Sequence, residues 1–94
     1  MIELFDDFVI TVDENQYSVG KRYFSKSKDG TLTEKIKQIG HYTSLSQALN
    51  GFTKYLARNE LKDGNRTLAE AIEVIREIAD RVEKFVAENV PQGV

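Results

Sequence analysis

Between Thr67 and Glu88 the apolar and charged residues separate cleanly. At 100° per residue, Leu68, Ala71, Ile72, Val74, Ile75, Ile78, Ala79, Val82, Phe85 and Val86 fall within an arc of roughly 160°, with the charges on the other side. That spacing predicts a helix. Thr67 and Glu70 form a capping box at its start, each side chain meeting a backbone N–H that the first turn leaves unpaired, and Asn89 and Pro91 mark its end. Ahead of it Leu45, Ala48, Leu49, Phe52, Tyr55 and Leu56 recur at the same period behind a second capping box, Ser44 and Gln47, which predicts a helix to about Leu61. Gly51 lies inside this helix, where glycine costs up to ~1 kcal/mol relative to alanine and often marks the close approach of another backbone. Asp63-Gly64-Asn65 separates the two helices, which the short connection predicts to be an antiparallel hairpin.

The first half of the chain alternates with a period of two. Phe8, Ile10 and Val12 share one face of a predicted strand over 8–12, and Asp13 to Gln16 supply turn chemistry. Alternation resumes at Tyr17 and continues through Phe24, with Gly20 as a candidate bulge. Asp29-Gly30 tolerates the backbone conformation a tight hairpin demands, so a third strand follows from about Leu32 to Tyr42. Its two isoleucines, Ile36 and Ile39, are an odd number of residues apart, so only a bulge near Lys37 or a break puts both on one face. The expected fold is therefore α+β: a three-stranded antiparallel β-meander followed by an α-helical hairpin, in one domain over residues 1–94. Phe8, Ile10, Val12, Leu49, Phe52, Leu56, Ile72, Ile75, Ala79 and Val82 are its expected core.

The apolar arc of the last helix is wider than the roughly 100° that covers one core. Leu68, Ile72, Ile75, Ala79, Val82 and Val86 keep the four-three spacing of a helix-pairing seam, and the outer edge of the arc, Val74, Ile78 and Phe85, is then left for a dimer or partner interface.

Composition changes the picture in three ways. The 94 residues contain no cysteine, which removes disulfides and thiolate chemistry. No apolar run approaches a membrane span, and the N-terminal Met-Ile-Glu-Leu-Phe-Asp-Asp is acidic where a secretory signal is basic, so a soluble, cytoplasmic protein is expected. The formal net charge of −2 hides a segregated distribution: residues 1–15 carry five acids and no base, whereas residues 16–43 carry six bases against Asp29 and Glu34. Lys21, Arg22, Lys26, Lys28, Lys35 and Lys37 interleave with Tyr17, Tyr23 and Phe24, the mixture of phosphate-pairing charge and stacking surface that nucleic-acid-binding sheets use. Lysines on exposed strands also discourage edge-to-edge pairing.

Candidate chemistry is thin. His41 is the single histidine, between Gly40 and Tyr42 at a predicted strand end. Asp6-Asp7 and Asp13-Glu14 are adjacent acids whose side chains point apart, and acid–base work needs convergent ones. None of the phosphate-loop, dinucleotide, zincin or EF-hand spacings is present. No catalytic residue, metal site, cofactor or small-molecule substrate is expected, and no enzymatic activity.

The run Phe8-Val9-Ile10-Thr11-Val12-Asp13-Glu14-Asn15-Gln16-Tyr17, followed by Ile39-Gly40-His41-Tyr42-Thr43-Ser44-Leu45-Ser46-Gln47-Ala48-Leu49, resembles small accessory proteins of bacteriophages and prophages of Gram-positive bacteria. The resemblance covers roughly residues 8 to 60 and leaves out the last helix. It implies a non-enzymatic protein in the host cytoplasm that binds a host or phage protein, with inhibition of a host defence nuclease, as by anti-CRISPR proteins, as one form. The alternatives are a nucleic-acid-binding protein using Lys21, Arg22, Tyr23, Lys26, Lys28, Lys35 and Lys37, and a phage structural or assembly component. A homodimer through Val74, Ile78 and Phe85 fits any of these.

Overall fold

The computed structural model of the protein describes residues 1–89. Its elements are β1 (Ile2–Glu3), β2 (Phe8–Val12), β3 (Tyr17–Lys26), β4 (Leu32–Tyr42), α1 (Leu45–Leu61) and α2 (Leu68–Glu88). The strands form one antiparallel sheet in the order β1-β2-β3-β4. The class is α+β, with four strands where the sequence reading has three. The added strand, β1, pairs Ile2 with Ile10 and Glu3 with Val9. It reaches β2 through a turn in which Phe8 N–H donates to Phe5 O while Asp6 and Asp7 both take positive φ, 54° and 66°. Aspartate tolerates this region better than most residues, and Asp-Asp carries no glycine to announce it.

The chain divides into two compact units. The first, residues 1–51, holds the sheet and the beginning of α1; the second starts at Phe52. In the first unit Phe8, Val9, Ile10, Val19 and Ala48 are buried, Val9 and Ile10 on opposite faces of β2. One face of the sheet carries Phe8, Ile10, Val19, Gly40 and Tyr42, and here α1 arrives: a Cβ on Gly51 would run into the Tyr42 ring, and one on Gly40 would lie 2.7 Å from the Tyr42 hydroxyl. Gly51 thus marks the predicted close approach, to an aromatic side chain and not to a backbone.

The register between β3 and β4 slips once. Val19 pairs with Gly40 and Gly20 with Gln38, so Ile39 is the extra residue, two positions beyond the expected Lys37. The parity of the isoleucines forces this: the bulge lets β4 keep Tyr42 on the α1 side while Ile36 returns to the other. The hairpin tip lies where Asp29-Gly30 places it. Ser27 N–H donates to Thr31 O, Gly30 N–H donates to Ser27 O, and Gly30 sits at φ +87°.

In the second unit Phe52, Ala57 and Val82 are buried. Thr67 caps α2 as predicted, accepting from Glu70 N–H while the Glu70 carboxylate returns to the Thr67 backbone, and the side chain of Asn89 donates to Phe85 O at the other end. The apolar arc, however, is divided differently from the expected seam. Ala71, Val74, Ile78 and Phe85 are half-buried beside Val82, whereas Leu68, Ile72, Ile75 and Val86 are exposed. Ile72 and Ile75, and Val12 in the sheet, therefore leave the expected core.

Candidate functional site

Two surfaces carry the residues singled out from sequence. The first is the hairpin of β3 and β4. Beyond the Phe8–Lys21 pair β2 ends, Arg22 N–H still donates to Asp7 O, and from Tyr23 onward the two strands continue as a two-stranded ribbon. Cross-strand partners and alternate residues share a face, so the register sorts the ribbon into two sides. One side holds Lys21 opposite Lys37, then Tyr23 opposite Lys35, then Ser25 opposite Thr33. The other holds Arg22 opposite Ile36, Phe24 opposite Glu34 and Lys26 opposite Leu32. The seven candidate residues are thus divided: Lys21, Tyr23, Lys35 and Lys37 come together, Arg22 and Lys26 turn away, and Lys28 sits in the tip.

The sides differ in charge. Arg22 is held between two acids, its Nη2 donating to Glu3 of β1 at 2.5 Å and its Nε lying 2.7 Å from Glu34. The Nε–H is not aligned on that carboxylate, so the second contact is a charge contact without a hydrogen bond. The hydrogen bond that Arg22 donates to Glu3, reinforced by the charges of Glu3, Glu34 and Asp7, raises the Arg22 pKa above its ordinary value. Arg22 thereby leaves the set of cations available to a ligand. At the tip, Asp29 accepts from the Ser27 hydroxyl and from Thr31 N–H at 3.0 Å, and these bonds hold its pKa at about 2. Lys21 lies 5.1 Å over the Phe8 ring, within cation–π reach.

The second surface is α2. Leu68, Ile72, Ile75 and Val86 fall within an arc of roughly 60° at 100° per residue; Leu68, Ile72 and Ile75 form an exposed run along the first turns, separated from Val86 by half-buried Ala79 and buried Val82. These residues are 78%, 41%, 45% and 36% exposed. Val74, Ile78 and Phe85, expected at an interface, form the half-buried row beside it.

A third feature escaped the sequence reading. Thr11, Ser18 and His41 are aligned across β2, β3 and β4, and with Val12, Asp13, Gln16 and Gln38 they line an open depression of about 270 Å³. Ser18 is buried and its hydroxyl lies 2.8 Å from His41 Nδ1; Thr11 Oγ1 is buried with no hydrogen-bond partner among the described residues. The only advance signal is the pairing register, which is unreadable until the bulge at Ile39 is placed. Among the described residues no group of three His, Cys, Asp or Glu side chains could hold a metal ion, and no helix is long and apolar enough to cross a membrane.

No family model, curated protein or solved structure matches this chain.

Proposed function

We propose that this chain is a non-enzymatic binding protein that docks a protein partner through the exposed row of α2. The observation that carries the reading is the pattern of exposure: four large aliphatic residues, Leu68, Ile72, Ile75 and Val86, are each at least a third exposed along one side of a helix whose opposite side is charged. Aliphatic side chains of this size contribute about 1.5–3 kcal/mol each when fully buried, so covering the row would yield several kcal/mol before the cost of association is subtracted. Apolar patches of this kind on helices dock into grooves or against other helices, read by residues at i, i+4 and i+7. Leu68, Ile72 and Ile75 have that spacing. The resemblance to phage accessory proteins suggests a host or phage protein as the partner.

Affinity capture tests this with two baits, the wild-type chain and Ile72→Glu/Ile75→Glu. The wild-type chain is expected to retain a partner in stoichiometric amount that the double variant loses while its circular dichroism is unchanged. A partner retained equally by both baits, or none with the wild type, would remove the proposal.

A further inference from the structure

We infer that the lysine side of the β3–β4 ribbon is a docking surface for single-stranded nucleic acid, with Lys21, Lys35 and Lys37 pairing phosphates and Tyr23 offering a stacking face. Register carries the argument. Lys21 and Lys37 stand directly opposite one another on neighbouring strands, and Lys35 lies on the same face one row along. Like charges directly opposite in a sheet are destabilising, so this side is electrostatically unfavourable by itself and gains from a polyanion. The acids that could relieve it are placed elsewhere. Glu3 and Glu34 are on the other side, joined to Arg22, and Asp29 is turned into the tip by Ser27 and Thr31. The ribbon thus gathers Lys21, Lys35 and Lys37, none in an ion pair among the described residues, on one face although the whole chain is net negative.

The chemistry of the occupant follows from what accompanies the lysines. Tyr23 is about half exposed, directly opposite Lys35 and two residues along the strand from Lys21. An aromatic side chain between cations suits an unpaired base, whose flat face can stack while the backbone follows the charges; a duplex keeps its bases stacked on each other and would leave Tyr23 unused. The lysine row also explains why the ribbon can extend past β2 as a free pair of strands: charge on an exposed edge discourages pairing with another sheet.

The test is fluorescence anisotropy of the full chain with a labelled mixed-sequence single-stranded DNA 20-mer and with the corresponding duplex, across a salt series. Three phosphate contacts predict that log K falls with log salt with a slope of about −2 on the single strand. Lys35→Ala/Lys37→Ala is expected to flatten that slope to under half, and Tyr23→Ala to weaken single-strand binding several-fold with little change in slope. Lys84→Ala, which removes a lysine from α2 instead, should leave both unaltered. Absence of binding at low salt would overturn the inference, as would equal affinity for duplex and single strand that Tyr23→Ala does not alter. So would binding to anionic vesicles in preference to the oligonucleotides. Failure here leaves the α2 proposal untouched, because the two surfaces share no residue.

Discussion

Asp29 shows how one side chain organises a turn. Its carboxylate accepts from the Ser27 hydroxyl and from Thr31 N–H, which lowers its pKa to about 2 from an ordinary 3.8. A carboxylate whose folded pKa is depressed contributes stability that is fully present above its unfolded pKa and lost as pH falls through the folded one. The tip should therefore loosen between about pH 4 and pH 2. The Thr31 amide resonance is expected to titrate with a midpoint near 2, and Asp29→Asn should abolish that titration. A midpoint at the ordinary carboxylate value would show that the bonds do not form in solution. Gly51 sits within α1 for steric reasons. Alanine is the better helix former by up to ~1 kcal/mol, yet its Cβ would meet the Tyr42 ring. Gly51→Ala should lower stability by about 1–3 kcal/mol through overpacking, and Tyr42→Ala should remove most of that penalty in a double-mutant cycle of chemical denaturation. Additive effects would mean the ring does not rest there. The glycine was legible in the sequence as a close approach; its partner was not, because that depends on strand pairing.

At the scale of elements, the local signals were sufficient wherever the physics is local. The strand over Phe8–Val12, the Asp29-Gly30 tip, both helix starts and the end of α1 near Leu61 all fall where period, turn chemistry and capping put them. β1 was missed because two residues cannot show an alternation, and its turn uses Asp-Asp in place of a glycine pair. The division of the α2 arc was also out of reach. Periodicity shows which side of a helix is apolar, but an arc of roughly 160° contains two adjacent rows, and only the surroundings decide which of them is covered. The consequence is measurable. Val82 is 6% exposed and Ile75 45%. Val82→Asp places a charge in an apolar site and should destabilise by several kcal/mol, whereas Ile75→Asp should shift the thermal midpoint only slightly. Comparable losses from the two substitutions would restore Ile75 to the core and withdraw the exposed row.

For the whole molecule, the sheet and α2 present different chemistries. The ribbon of β3 and β4 holds Glu34 and Arg22 on one face and Lys21, Lys35 and Lys37 on the other, and α2 holds its exposed aliphatic side chains on one side. Charge segregation was visible in the sequence as a basic middle after an acidic start. The sorting of those charges into two faces needs the strand register, which in turn hinges on the extra residue at Ile39. The Thr11–Ser18–His41 row was hidden for the same reason. Self-association belongs to this scale too: Phe85 is half-buried, so a homodimer would use Leu68, Ile72, Ile75 and Val86 and compete with any other protein for the same row.

Site-specific photo-cross-linking tests the docking role of that row most directly. A benzophenone side chain placed at residue 72 or 75, on the exposed row, and at residue 73 or 80, on the charged side, reports which face of α2 touches a partner in the cell. Cross-links to one protein from 72 and 75, with none from 73 and 80, are the expected result. Cross-links from 73 and 80 alone, from all four positions equally, or from none of them would contradict the assignment of α2 as the binding element.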